Sequence, residues 1–335
     1  MTRVPPLPRL ARPVPRAGVV GPARLALRQY LVDYDRDLAG AFRDGADAGE
    51  IIAARTLAIE RMLAYAWHAW LGDSADAALI AVGGFGRGEQ FPCSDVDLLI
   101  LTVDRPESRV IRAIEAFCAC LWDLGIKPGL AVRDVDGCRQ LAAADVGVYT
   151  TLIEARFLAG AQALGERLLA HLPDPALWTP ERFLSAKKVE QAARHLRFGD
   201  TAYNLEPQLK EGPGGLRDLQ MIGWLGRAIA GAGNLAMMVE SGLLDAAEAE
   251  ALLLARATLF RIRHALHLLA GRAEERLLFD YQRELARSLG YRDEHADNLG
   301  VEQCMQDYYR AARIIAGTNE ELLARCSEML ATPAG

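Results

Sequence analysis

Residues 81–101 read A-V-G-G-F-G-R-G-E-Q-F-P-C-S-D-V-D-L-L-I-L, and this stretch decides how the chain is read. The apolar lead-in Ala78 to Val82 predicts a buried strand. Gly83, Gly84, Gly86 and Gly88 then predict a turn that a ligand can approach closely, since no Cβ stands in the way. Ser94-Asp95-Val96-Asp97 leads into a second strand, Leu98 to Leu101. Residues two apart on a strand share a face, so Asp95 and Asp97 project together while Val96 and Leu98 face the packing side.

Two neighbouring carboxylates repel unless a positive charge lies between them. Mg²⁺ is the hard cation that suits carboxylates together with substrate phosphate. A glycine turn beside such a pair points to a nucleoside triphosphate and to in-line displacement at phosphorus, with a pair of Mg²⁺ ions stabilising the attacking and leaving oxygens. In this scheme Asp95 and Asp97 bind metal and act catalytically, while Gly83, Gly84, Arg87 and Ser94 hold phosphate. A guanidinium fork suits phosphate oxygens, but Arg87 is equally placed to pair with Glu89. Asp-x-Asp alone also fits a hairpin whose carboxylates face solvent. The strand, the glycine turn and Ser94, in this order, favour the triphosphate.

Length allows two domains, because a single core rarely serves 335 residues. With 51% hydrophobic and 24% charged residues, the composition is that of a globular protein. The formal charge of −6 argues against a broad nucleic-acid footprint. None of the six cysteines forms a C-x-x-C pair, and no apolar run approaches the length of a membrane span, so a cytoplasmic location is expected.

Residues 1–24, rich in Pro and Arg, read as a disordered lead. Two helices follow, over about 26–45 and 48–71, the second with Asp47 placed to cap its first turn. Ile111 to Leu124 predicts a further helix, Gly125 to Asp134 a third strand beside the Asp95/Asp97 strand, and Asp145 to Leu158 another helix. Beyond Pro180 the pattern is helical throughout. Set into it is N-L-E-P-Q-L-K-E-G-P-G-G-L-R-D-L-Q at 204–220, a charged glycine-proline run for which the sequence offers no packing purpose. His264 and His267 share a helix face and read as structural.

G-G-F-G-R-G-E followed by P-x-S-D-V-D-L-L resembles the signature of the DNA-polymerase-β-type nucleotidyltransferases. Together with L-I-E-A-R-F-L-A-G and K-E-G-P-G-G-L-R-D-L-Q, it is similar to the family of bifunctional uridylyltransferase/uridylyl-removing enzymes that modify the PII nitrogen-signalling protein. The resemblance covers about residues 25–325. It implies a polymerase-β-like α/β (α+β) nucleotidyltransferase domain with a small mixed sheet and a helical preface over 25–160. An all-helical uridylyltransferase-associated domain over 161–330 would follow. It also implies transfer of UMP from UTP to a tyrosine of PII, with Lys210 and Arg217 contacting triphosphate or acceptor from a loop that faces the cleft. Glu211 and Asp218 would then orient them or form an auxiliary metal site.

The chain departs from the family on the third strand. There the family reads like L-E-V-G-H-S-V-R, whereas this chain carries Lys127, Pro128, Leu130 and Ala131. Asp134 is left as the nearest acidic candidate for a third catalytic carboxylate, with a strand-end turn as its other role. The family's full enzymes continue into an HD hydrolase domain and ACT domains, and none of the six histidines here is followed by Asp. The expectation is transfer without uridylyl removal. Two rivals stand beside it: an adenylyltransferase acting on PII or another protein, and a degenerate module that binds PII or nucleotide without turnover.

Overall fold

The computed structural model describes residues 3–10, 21–172, 177–198, 204–295 and 299–331. The chain divides into two compact units, Met1–Leu177 and Trp178–Gly335.

The first unit runs α1 (Pro22–Arg43), α2 (Ala48–Leu71), β1 (Ala77–Ala81), α3 (Gly83–Gly86), β2 (Val96–Thr102), α4 (Ser108–Asp123), β3 (Pro128–Asp134), α5 (Val135–Ala144), α6 (Val146–Ile153), β4 (Arg156–Gly160) and α7 (Gln162–His171). Its mixed sheet has the order β3-β2-β1-β4, with β1 antiparallel to β2 and β4, and β2 parallel to β3. A parallel neighbour requires a long crossover, and α4 supplies it. On one face Leu79, Leu98 and Ile100 pack with Met62, Leu63 and Trp67 of α2 and with Ile114, Phe117 and Leu121 of α4. Trp67 meets Phe117 edge-on at 5.3 Å, a favoured aromatic geometry. Asp47 caps α2 as expected, its carboxylate accepting from the Glu50 N–H at 3.0 Å.

Three expectations require correction. Residues 3–10 of the lead are placed against the helices: Val4 and Leu7 pack beside Tyr34, whose hydroxyl donates to the Pro5 carbonyl at 3.0 Å. Apolar residues interleaved with prolines give an extended chain that lies along a helix pair; residues 1–2 and 11–20 are outside the described set. The helix expected to reach Leu158 stops at Ile153, and Arg156–Gly160 becomes an antiparallel neighbour of β1. The first unit also extends past 160. A Cβ at Gly165 of α7 would stand 3.2 Å from Phe157 and 3.4 Å from Ile80, so α7 closes the sheet's second face.

The second unit is helical: α8 (Pro180–Arg197), α9 (Leu216–Ala230), α10 (Leu235–Glu240), α11 (Ala246–Ala270), α12 (Phe279–Ser288) and α13 (Gly300–Ala331). The long α13 packs on α8, α9, α11 and α12, burying Tyr308, Ile315 and Leu322. His264 and His267 are buried in α11, and His267 Nε2 lies 3.6 Å from Glu275. Arg263 Nε donates to both Glu275 oxygens at 3.0 and 2.8 Å. Burial pushes the Glu275 carboxyl up, but hydrogen bonds from His267 and Arg263 outweigh it and hold the group at about 2. A lowered folded-state value stabilises above the unfolded value and is lost as pH falls through the folded one. Glu275→Gln is therefore expected to lower the thermal unfolding temperature at neutral pH. The gap from the parent chain should close as pH drops from 4.5 toward about 2, as followed by circular dichroism.

Candidate functional site

Asp97 lies on β2 and shares a strand face with Leu99, opposite the face packed on α2 and α4, while the exposed Asp95 immediately precedes the strand. The Val82 N–H donates to the Asp97 carbonyl at 3.1 Å, which brings the end of β1 and the glycine turn beside this residue. A Cβ at Gly83 would stand 3.0 Å from Asp97 Oδ2, and one at Gly129 of β3 only 2.5 Å from Oδ1. Real Cβ contacts do not reach the second distance. The carboxylate therefore occupies a slot that exists because both flanking residues are glycine, and Gly83 also has φ +54°. As the first residues of a helical turn, Gly83 and Gly84 have no intrahelical acceptor for their N–H groups.

The turn and the loop behind it are tied to α2. Thr56 Oγ1 donates toward the Gly88 carbonyl at 2.9 Å and accepts from the Gln90 N–H at 3.2 Å. Gln90 Nε2 reaches the Asp95 carbonyl at 3.3 Å. Arg55, held by Asp35, donates to the Phe91 carbonyl at 3.0 Å. Ser94 lies in the turn before Asp95, its N–H bonded to Phe91 O at 3.1 Å. Arg55, Thr56 and Gln90 were not singled out from the sequence. Their signal was present as polar residues on the otherwise apolar face of α2 and in the loop, all three being buried.

Of the two roles open to Arg87, the ion pair is the one displayed. Its Nε meets Glu89 at 2.9 Å and its NH1 meets Glu154 at 2.5 Å. Burial works against its charge, and the two carboxylates outweigh that and raise its pKa.

Asp134 does not join the pair. In the parallel ladder Asp97 stands opposite Gly129 and Thr102 opposite Asp134. Five residues of strand, about 16 Å at roughly 3.3 Å each, separate the two positions, and the odd step turns Asp134 to the other face. Its carboxylate caps α5, accepting from the Gly137 N–H at 2.6 Å. One step beyond the ladder, the Val96 N–H donates to Lys127 O at 2.9 Å, so the residue in register beside Asp95 is Lys127. Among the described residues no group of three or more His, Cys, Asp or Glu side chains converges as a metal site. The two carboxylates remain a hard-oxygen donor set that fits a divalent cation completed by substrate phosphate.

In the helical unit the 204–220 run does have a packing purpose. Gly214 has φ +71°, and a Cβ there would stand 2.1 Å from the Ala312 carbonyl of α13. Its N–H donates to Asp218 Oδ2 at 2.7 Å. Asp218 is fully buried, and Oδ1 accepts from Gln191 at 3.0 Å and from Arg194 at 2.5 Å, with His195 Nε2 at 3.0 Å. Burial raises the Asp218 pKa, but His195 and Arg194 outweigh it and lower the group overall. Asp218 is thus the knot of the loop and orients neither expected cation. Lys210 and Arg217 are brought together, the Arg217 N–H donating to Lys210 O at 2.8 Å. Both face Glu211, at 4.0 and 3.2 Å, and Arg217 also lies 5.6 Å from the Trp224 ring. Burial, then the charges of Arg217 and Arg263, lower the Lys210 pKa.

Residues 34–130 match a nucleotidyltransferase family, DUF294, and residues 182–323 match the GlnD PII-uridylyltransferase family. The chain is 42% identical over 306 residues to the bifunctional uridylyltransferase/uridylyl-removing enzyme of Pseudomonas aeruginosa (strain LESB58), covering 91% of this chain and 34% of that protein. Its counterpart from Methylococcus capsulatus (strain Bath) is 45% identical over 293 residues, covering 87% and 33%. The chain spans about a third of the length of the curated relatives it matches. One family match falls in each unit: the first contains a region that matches nucleotidyltransferases, and the second contains a helical region that matches the GlnD PII-uridylyltransferase family.

Proposed function

We propose that this chain transfers UMP from UTP to a tyrosine of a PII-type protein, releasing pyrophosphate. The observation that carries the reading is the Asp97 carboxylate set between Gly83 and Gly129, beside Asp95, in a chain whose helical unit matches PII uridylyltransferases. The tyrosine oxygen forms the new bond to the α-phosphorus, the bond from that phosphorus to the pyrophosphate oxygen breaks, and its electron pair leaves with pyrophosphate. Asp95 and Asp97 would hold Mg²⁺, which when bound supplies positive charge to the triphosphate and the attacking oxygen. Gly83 and Gly84 offer N–H groups to phosphate oxygens, with Ser94 next to the metal carboxylates. Within the helical unit Lys210 and Arg217 form a cationic pair beside Glu211 that suits an anionic group. The phenol proton, with a reference pKa near 10, must leave during attack, and Leu130 and Ala131 cannot take it. A cytoplasmic setting is part of the same reading. None of the six histidines in these 335 residues is followed by Asp, and the reaction proposed for this chain is transfer.

Mass spectrometry of PII after incubation with UTP and Mg²⁺ tests donor, acceptor and reaction together. A gain of one UMP on a tyrosine is expected, lowered roughly 1,000-fold in rate by Asp95→Asn or Asp97→Asn, the scale of a lost metal contact. Gly129→Ala forces a methyl onto Asp97 Oδ1 and is expected to reduce turnover by about 100-fold, the cost of an ångström of misplacement. Modification with ATP in place of UTP would transfer the reading to adenylylation. Lys127 in register with Asp95 favours one further reading, a module that binds PII without turnover. PII captured at micromolar affinity, with no pyrophosphate released from UTP or ATP, would establish it.

A further inference from the structure

The glycine turn cannot hold its own position. A single helical turn of four residues, three of them glycine, is far below the length at which a helix is stable alone. Its place is imposed from the β4 side. The Gly86 Cα presses on the Glu154 carbonyl so closely that a Cβ would stand 2.2 Å from the oxygen. Arg156, the first residue of β4, donates from Nε to the Gly86 carbonyl at 3.2 Å and from NH2 to the Phe85 carbonyl at 3.1 Å. The same NH2 is anchored on α2 by Glu60 at 2.6 Å. The Phe85 carbonyl also accepts from the Gly88 N–H at 3.1 Å, and at both carbonyls the guanidinium adds a charge-assisted donor held from outside the turn. At the other end of the turn Gly83 lies against Asp97 Oδ2.

We propose that Arg156 is the positioning residue of the nucleotide site: its grip on Phe85 and Gly86 fixes the glycine turn against Asp97. The inference rests on the nucleotidyl-transfer reading. It assigns Arg156 no contact with substrate; it acts through the backbone it holds. Loss of the grip lets the turn shift against the carboxylate, which weakens nucleotide binding and leaves acceptor binding as it was.

The test compares the parent chain with Arg156→Gln, Arg156→Lys and Glu60→Gln. Steady-state kinetics with UTP and PII are read beside backbone amide exchange. Arg156→Gln is expected to raise KM for the nucleotide about tenfold, the worth of a charge-assisted hydrogen bond that holds a binding group. KM for PII should stay unchanged, and exchange should quicken over residues 83–88 but not over β1 and β2. Arg156→Lys keeps the cation with fewer donors and should fall between. Should Arg156→Gln not fold, Glu60→Gln leaves the guanidinium in place without its anchor and should move the same two readouts in the same direction. An unchanged nucleotide KM, unchanged exchange at 83–88, or exchange quickened throughout the sheet overturns the proposal. A parent chain that modifies PII with neither UTP nor ATP overturns the transfer reading instead, and the two failures are thereby separate.

Discussion

The chemistry open to the first unit depends on one close approach, the Asp97 carboxylate lying where two backbones leave no room for a Cβ. A carboxylate normally keeps its distance from neighbouring strands because side chains stand between them. Here Gly83 approaches from the turn and Gly129 from the parallel partner strand. The acidic group is thus fixed by backbone, which moves less than side chains do. A metal-binding group gains most from that rigidity, since misplacement by an ångström costs orders of magnitude in rate.

Backbone this exposed needs support, and both units supply it with paired charge, partly buried in the first and fully buried at Asp218 in the second. In the first, Arg156 and Arg87 tie the glycine turn to β4 and to Glu154. In the second, the Asp218 carboxylate receives Gln191, Arg194, His195 and the Gly214 N–H, while Gly214 itself lies against the Ala312 carbonyl. Each arrangement pairs a glycine that touches backbone with an ion whose hydrogen bonds are satisfied locally. Buried charge is costly unless so paired, and breaking a pair costs more than the pair contributes. The loops are therefore specified by a few polar residues rather than by apolar area.

What could be read from the sequence was whatever depends on local periodicity. The Asp47 cap and the third strand are both set by neighbours in the chain. Asp134 misled because acidity was visible while register was not: only the ladder reveals five residues and a change of face between it and Asp97. Arg156 falls inside the helix expected over Asp145 to Leu158, and the structure places it on a strand. Its strand exists because the edge of β1 was open, a fact about the sheet and not about residues 154–160. The 204–220 run seemed to lack a packing role for the same reason, since Ala312 and Asn319, which bonds the Asp218 carbonyl at 3.2 Å, lie about 100 residues away. The prolines of residues 3–10 were read as preventing order, yet an extended apolar strip needs only a helix pair to lie on.

Lys127 changes the charge balance of the proposed site. A third carboxylate in register beside Asp95 would bring the local charge to −3 before any triphosphate arrived, and a pair of divalent cations would be needed to neutralise it. With a lysine at that register the same three positions sum to −1. Like charges close together are what force metal into such sites, so two carboxylates and an ammonium lower the demand for a second cation. On this arithmetic the altered strand accommodates an anionic ligand beside Asp95 and Asp97 more readily than a third carboxylate would.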